Sequence, residues 1–169
     1  MDRVCCIVDF EGFKVNNQFL VRELGWIDME NAEKDSVRFD LRGYHRSLQD
    51  IENCNYITSK VSGLTFKPMR GEETTSPQLL DFKLREIYDF CKTSKKNVIA
   101  YLGGKTERNI LSHLGIPCIN LDAYCCPKSD RQVSFYPLYI YPACGNHKYN
   151  GHCPFSEVQA LRAWVLARL

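Results

Sequence analysis

The stretch that decides the fold reads VCCIVDFEGF and runs from Val4 to Phe13. Its first five residues are apolar and partly β-branched, which is typical of a buried central β-strand. Side chains alternate along a strand, so Asp9 and Glu11 should share one face, about 7 Å apart at a rise of about 3.3 Å per residue. Two carboxylates this close repel each other, and a divalent metal ion is a common means of stabilising them. The alternative is that both acids simply end the strand and face water.

Composition limits the possible classes of protein. The chain has 169 residues, of which 44% are apolar and 12% aromatic. This predicts a single domain spanning residues 1–169, either complete or excised from a longer chain. The formal net charge of +2 neither demands nor excludes a nucleic-acid partner. Without a signal-peptide pattern or an apolar run of about 18 residues, we expect an intracellular protein, cytoplasmic or nuclear, with no membrane contact.

The chain has nine cysteines. An odd number in an intracellular protein argues against a complete disulfide framework. Four lie in apolar contexts and are expected in the core: Cys5, Cys6, Cys91 and Cys118. Four others lie in less apolar segments near two of the histidines: Cys125, Cys126, Cys144 and Cys153. The second group is therefore the source of candidate metal ligands.

The first half of the chain predicts β-structure. β-branched and aromatic residues dominate three runs, which are Arg3–Asp9, Phe19–Asp28 and Ser36–Asp40. Asn16-Asn17 suits a hairpin turn between the first two runs. The polar residues 41–75 predict an irregular loop region.

The second half predicts helices that alternate with short strands. A helix begins at Ser76-Pro77, and a second, capped by Thr106, runs from Glu107 to about Leu114. The remaining elements are the strands Asn97–Leu102 and Cys118–Leu121, an irregular segment 122–154, and a last helix capped by Ser156 whose apolar stripe ends at Leu169. Hairpins followed by alternating helices and strands predict an α/β fold with a mixed sheet covered by helices.

Three further residues could complete a hydrolytic metal site with Asp9 and Glu11. Glu107 opens a helix directly after a predicted central strand, so its carboxylate is expected at the carboxyl edge of the sheet. His152 precedes Glu157, which lies in the first turn of the last helix, and histidine can accept a proton from water near neutral pH. The alternative is that both glutamates merely complement helix dipoles.

This order of residues resembles the DEDDh 3′–5′ exonuclease family, whose fold is ribonuclease H-like. The resemblance spans nearly the whole chain and is carried by the Asp9-Phe10-Glu11 start, the segment from Glu107 to Leu111, and His152-x4-Glu157. It implies Mg²⁺ or Mn²⁺ bound by Asp9, Glu11 and Glu157, with Glu107 in the catalytic set and His152 as the general base. Asp122 also follows a predicted strand, where the family often has an aspartate. Glu107 and Glu157 depart from the pattern, because the family usually has aspartate there.

A second cluster predicts a zinc site. Cys144, His147, His152 and Cys153 fall within ten residues, and thiolate and imidazole ligands suit tetrahedral Zn²⁺. Cys126, Cys125 or an acid from elsewhere could complete the set. The alternative is that these are free cysteines and surface histidines. His152 belongs to both predicted sites.

The spacing Cys144-x2-His147-x5-Cys153, with Glu23-Leu24-Gly25 in the second strand, is similar to the Maelstrom domain of the same exonuclease lineage. The similarity implies a structural zinc ion bound by Glu23, Cys144, His147 and Cys153, with Cys126 as an alternative ligand, and an irregular C-terminal segment held by the metal. Maelstrom domains have generally lost the exonuclease carboxylates, whereas this chain keeps Asp9 and Glu11.

Two functions are therefore predicted. The first is a metal-dependent 3′–5′ exonuclease acting on single-stranded nucleic acid, with RNA favoured. The alternative is a catalytically degenerate, Maelstrom-like zinc module that binds RNA or protein partners.

Overall fold

Five strands form one mixed sheet in the part of the chain that the computed structural model describes, which is residues 1–128, 141–149 and 151–169. The strands are β1 (Val4–Val15), β2 (Gln18–Asp28), β3 (Lys34–Arg38), β4 (Val98–Tyr101) and β5 (Cys118–Asn120). Their order is β3-β2-β1-β4-β5, with antiparallel pairing among the first three and parallel pairing of β1 with β4 and of β4 with β5. The apolar run quoted above is therefore the central strand, as predicted.

Helices cover both faces of the sheet. They are α1 (Leu48–Ile57), α2 (Leu80–Cys91), α3 (Lys105–His113) and α4 (Pro154–Leu166), with a π-helical turn at Thr58–Ser62 and short 3₁₀ turns at Pro77–Leu79 and Leu121–Tyr124. Buried residues of α4 pack with Val4 and Ile7 of β1, whereas α1, α2 and α3 pack with Val8 and Phe10. The predicted α/β layout is confirmed. No helix in the described ranges is long and apolar enough to cross a membrane.

The register of β1 sets the position of its two acids. Ile7 faces α4, so Asp9 and Glu11 lie on the same face as α4. The ladder to β4 ends at the pair Ile7–Ala100, whereas the ladder to β2 continues to Val15. The alternative, that both acids end the strand and face water, is therefore wrong. Both acids lie within β1, just beyond the last residue of β1 that pairs with β4.

One predicted loop contains a helix, and one predicted hairpin is confirmed. Residues 41–75 are not all loop, because they contain α1. A capping box begins this helix, and in it the Ser47 hydroxyl accepts a hydrogen bond from the Asp50 amide. Within α1 only Cys54 is buried, so the helix has little apolar periodicity to reveal it. The hairpin at Asn16-Asn17 is confirmed, since both residues have positive φ (50° and 60°), as a type I′ turn requires.

Two predicted helix caps are wrong. Helix α3 begins one residue before Thr106, with Gly104 as its N-cap. Helix α4 begins at Pro154 with Cys153 as its N-cap, so Ser156 lies inside the first turn, where its hydroxyl donates to the Tyr141 carbonyl (3.1 Å). Leu169 lies beyond the helix and is exposed. The predicted irregular segment 122–154 falls partly outside the described residues.

Candidate functional site

Five side chains from distant parts of the sequence line one cavity of about 1130 Å³. They are Asp9 and Glu11 from β1, Glu107 from the first turn of α3, His152 from the segment before α4, and Glu157 from the first turn of α4. These are the five residues that the sequence singled out as a candidate catalytic set. The structure brings all of them together.

A glycine on β2 allows α4 to reach the sheet at this point. Gly25 is the cross-strand partner of Asp9, and a Cβ built on it would lie 2.4 Å from the carbonyl carbon of Pro154. Any larger residue would push the start of α4 away from the sheet. The close approach brings Glu157 into the acidic cluster, where it is 3% exposed.

The loop after β4 fixes Glu107. The Glu107 carboxylate folds back over Gly103, where a Cβ would lie 3.0 Å from Oε2. The Asn120 side chain donates to the Gly103 carbonyl (2.6 Å) and accepts from its amide (3.4 Å), which ties this loop to the end of β5. Glu107 therefore projects from the first turn of α3, directly after a loop that Asn120 anchors to the end of β5.

The histidine provides the positive charge of the cluster. His152 Nε2 lies 2.7 Å from Asp9 Oδ2 and 3.9 Å from Glu11 Oε2. Burial alone would lower the pKa of His152, but the negative charges of Asp9, Glu157 and Glu11 raise it to about 10. In this arrangement the imidazole is protonated and paired with Asp9.

One histidine faces four carboxylates, so the charges of Glu11, Glu107 and Glu157 are only partly neutralised. Burial, reinforced by the charge of Asp9, raises the pKa of Glu11, Glu107 and Glu157 to about 7 in each case. Glu157 Oε2 is buried and has no hydrogen-bond partner in the described part of the chain. Buried carboxylate oxygens without partners are unusual, and a hard divalent cation is a ligand that they suit. The donor set therefore fits Mg²⁺ or Mn²⁺.

A second set of donors lies beside the first. One ligand atom from each of Glu23, Cys144, His147 and Cys153 lies within 4.8 Å of all the others. The Glu23 carboxylate is 3.4 Å from Cys144 Sγ, 3.1 Å from His147 Nε2 and 3.7 Å from Cys153 Sγ. Tetrahedral Zn²⁺ with bonds of about 2.0–2.3 Å places its ligands about 3.3–3.8 Å apart. The cluster therefore fits a tetrahedral metal site.

Burial and mutual contact shape the charges of this cluster. A hydrogen bond from Cys153 lowers the pKa of the Cys144 thiol to about 3, and the same contact raises the pKa of Cys153 well above its usual range. Burial would lower the pKa of His147, but Cys144 and Glu23 raise it to about 10. These contacts favour a negative charge on Cys144 beside a positive charge on His147. His147 Nδ1 contacts the Ser62 carbonyl (2.5 Å), which turns Nε2 toward Glu23.

The two sets of donors are adjacent and share no residue. Glu23 is the cross-strand partner of Glu11, and His152 and Cys153 are consecutive in the chain. His152 contacts the acids and lies outside the four-donor group, so the overlap between the two predicted sites disappears.

Two other candidates lie outside both sets. Cys126 packs with Leu121 and Leu161 in the apolar cluster under α4, and it is not part of the four-donor group. Asp122 is exposed, pairs with Lys128 (3.8 Å) and does not line the cavity.

Sequence reasoning missed the residues that hold the site together. Gly25 and Gly103 act by having no side chain, and Asn120 acts through a loop contact. Ser62 acts through its backbone carbonyl, which no residue type reveals. Glycine next to a predicted site residue was the one available signal, as in Gly25 after Glu23-Leu24 and Gly103-Gly104 before Glu107.

Comparison with solved structures identifies the fold. No known protein-family profile and no curated protein matches the sequence. The chain is similar to the exonuclease domain of Mopeia virus, in a structure fully depleted of manganese, with a TM-score of 0.55 and 12% identity over 99% of this chain and 78% of that one. It is also similar to the Neurospora crassa Pan2 catalytic unit, which has a protease and a nuclease domain, with a TM-score of 0.56 and 17% identity over 96% of this chain and 26% of that one. At these identities the likeness shows the fold alone, and the predicted α/β fold, a mixed sheet flanked by helices, is confirmed as one that these two structures share.

Proposed function

We propose that residues 1–169 form a metal-dependent nuclease domain of the DEDDh 3′–5′ exonuclease type, acting on single-stranded nucleic acid with RNA favoured. The observation that carries the proposal is the convergence of Asp9, Glu11, Glu107, His152 and Glu157 on one cavity. These residues come from four separate segments, and a purely structural role would not require four acids to share one buried site. The cost of burying them is visible in the raised pKa of three of them.

Asp9, Glu11 and Glu157 would hold Mg²⁺ or Mn²⁺, with Glu107 completing the cage. Bound there, such ions supply electrostatic stabilisation of the phosphodiester and a water of lowered pKa. Glu23, Cys144, His147 and Cys153 would hold a structural zinc ion. Each set matches the preference of its metal, because the first is all oxygen and the second contains two thiols and an imidazole.

His152 is the proposed general base. Its Nε2 carries a proton at neutral pH when the carboxylates around it are unneutralised, since they raise its pKa to about 10. Reducing their net charge lowers that pKa toward the ordinary value of about 6.5, where imidazole accepts a proton most effectively. Asp9, 2.7 Å away, then orients the ring and stabilises its protonated form.

The glutamates at positions 107 and 157 are compatible with this role. Each is one methylene longer than the aspartate usual in the family, and each lies where a glycine lets its segment fold close to the sheet or the loop. Gly103 accommodates the folded Glu107 side chain, and Gly25 admits the start of α4, which carries Glu157.

The cavity wall suits a single strand. Tyr149, which is half exposed, and Tyr141 line the cavity together with Lys60 and Lys128. Aromatic rings can stack on unpaired bases and lysines can contact phosphates.

The proposal is tested with a single-stranded RNA labelled at its 5′ end and incubated with the protein and Mn²⁺. We expect progressive shortening from the 3′ end, and Asp9→Ala should lower the rate on the order of 100-fold or more. Asp122→Ala is the matched control, because that acid lies outside the cavity and should leave the rate unchanged. Single-stranded DNA and duplex RNA define the substrate class. Absence of cleavage under all these conditions would refute the proposal.

One observation favours a second function, an RNA-binding or protein-binding module without catalysis. The four donors of the zinc set are all present, whereas two of the four family acids are replaced by glutamate. RNA binding that is sensitive to salt, with no cleavage in Mn²⁺, would support this function over the first.

A further inference from the structure

A π-helical turn lies beside two centres, which are the acidic cluster around His152 and the four-donor group around His147. The π-helical turn Thr58–Ser62 follows α1 directly and ends at Gly63, which has φ +74° and donates its amide to the Thr58 carbonyl (3.1 Å). The Thr58 hydroxyl lies within hydrogen-bond distance of the Cys54 and Leu64 carbonyls (3.0 and 2.6 Å), which holds the turn in this form. Such turns are rare and are frequently found at functional sites. None of its residues belongs to either donor set.

Three successive carbonyls at the end of this turn accept hydrogen bonds from the segment that carries both histidines. The Val61 carbonyl accepts from the His152 amide (3.0 Å), and the Gly63 carbonyl accepts from the Lys148 amide (2.6 Å). Between them, the Ser62 carbonyl contacts His147 Nδ1 (2.5 Å). Two of the three contacts therefore end on a residue of a functional centre.

The two segments approach so closely that each needs a glycine. A Cβ on Gly63 would lie 1.9 Å from the Tyr149 carbonyl oxygen, and a Cβ on Gly151 would lie 2.5 Å from the Val61 carbonyl oxygen. Both distances are far below van der Waals contact, so a side chain at either position must separate the segments.

We infer that the π-helical turn is a positioning element that fixes the zinc centre and the catalytic histidine together. The Ser62 carbonyl orients the His147 ring so that Nε2 faces Glu23. The Val61 carbonyl holds the backbone of His152 where the imidazole reaches Asp9. Contacts to the far side of a metal-binding imidazole set its orientation and its basicity as a ligand. The part that concerns His152 rests on the proposed nuclease function, and the part that concerns His147 does not.

The inference is tested with Gly63→Ala and Gly151→Ala. Gly71→Ala is the matched control for the first, because Gly71 has the same kind of backbone (φ +81°) with open space around it, and Gly43→Ala is the control for the second. We expect the two test variants to lose zinc affinity by about 10–100-fold and to change the visible spectrum of bound Co²⁺, which reports the ligand geometry. Their cleavage rate in Mn²⁺ should fall through kcat more than through KM. Both controls should keep the wild-type values.

Test variants that bind Co²⁺ with the wild-type spectrum and affinity would overturn the inference. So would controls that lose affinity to the same extent, since the effect would then come from backbone strain alone. If the wild-type protein cleaves no nucleic acid, the proposed function fails, while the zinc affinity and the Co²⁺ spectrum still decide the role of the turn at His147.

A measurement on the wild-type protein covers the case in which the variants do not fold. In the zinc-loaded protein the amides of Lys148 and His152 should resist hydrogen exchange. Chelation of the zinc should remove the protection of both, while the amides of β1 stay protected. Free exchange of both amides in the zinc-loaded protein would contradict the inference.

Discussion

Two histidines five positions apart face different anions through their ring nitrogens, and their proposed roles differ for that reason. His147 Nε2 lies 3.1 Å from Glu23 within the zinc set, and His152 Nε2 lies 2.7 Å from Asp9 within the acidic set. The sequence placed both near Cys153 and could not separate them, because spacing along an irregular segment does not determine where each ring points.

Replacing each histidine in turn should separate the two centres. We expect His147→Gln to lose the zinc ion, whereas His152→Gln should keep about one zinc per chain and lose cleavage activity by about 10²–10⁴-fold, the usual contribution of a general base. Elemental analysis after gel filtration measures the zinc, and the labelled-RNA assay measures the rate. Loss of zinc from His152→Gln would show that the centres are not separable in this way.

The acids themselves were predictable at the residue scale, and one zinc ligand was not predictable from spacing. Asp9 and Glu11 follow from strand alternation, which has a period of two and needs no tertiary information. Glu23 lies 121 positions from Cys144, and only a resemblance to a known domain pointed to it. Nothing in its neighbourhood marks a buried glutamate, since a strand residue between Arg22 and Leu24 can face either water or the core.

Helix α4 packs so closely on the sheet that it requires a glycine there. Its first turn lies directly on β2 at Gly25, where a Cβ would be 2.4 Å from Pro154. The same turn carries Glu157, so the contact between Gly25 and Pro154 also places Glu157 in the acidic cluster.

Gly25→Ala should therefore destabilise the protein and impair the site together. Overpacking of this kind costs about 1–3 kcal/mol, and the displaced first turn should also lower the cleavage rate. Gly43→Ala, at an open surface position, should change the free energy of unfolding by less than about 0.5 kcal/mol. Urea unfolding measures both. An alanine at position 25 that is tolerated without loss of stability would contradict the packing argument.

The elements differ in how well the sequence predicted them. The β1–β2 hairpin was clear, because Asn16-Asn17 is a strong turn signal between two apolar runs. Helix α1 was missed although its capping box at Ser47 and Asp50 was readable, because a mostly polar helix has no periodic stripe. The start of α4 differs from the prediction because Ser156 has the side chain of a typical cap, whereas the helix begins at Pro154, a residue favoured at the first helical position. The π-helical turn has no sequence signature at all.

On the scale of the whole molecule, the four-donor group joins the sheet to the segment before α4. Glu23 belongs to β2, and the other three donors lie in residues 144–153. A metal that binds the folded chain alone adds its binding free energy to stability.

Removing zinc should lower the melting temperature. A ligand present at 100 times its Kd contributes about 2.7 kcal/mol, which corresponds to about 5–10 °C for a chain of this size. Thermal unfolding with and without a zinc chelator measures the shift. Cys144→Ser is the control, because a protein that has already lost the site should melt at the same temperature with or without the chelator. An unchanged wild-type melting temperature would argue against a structural zinc ion.

Both centres join residues near the two ends of the described chain: Asp9 meets His152 across 143 positions, and Glu23 meets Cys153 across 130. During synthesis on the ribosome, β1 and β2 emerge early with their acids and no partners for them. The four-donor group cannot assemble until Cys153 has left the exit tunnel, and the acidic cluster cannot assemble until Glu157 has left it. A nascent chain or a truncated product that stops before residue 144 therefore carries Asp9, Glu11 and Glu23 without their histidine and cysteine partners, and the proposed nuclease activity requires translation to continue through the first turn of α4.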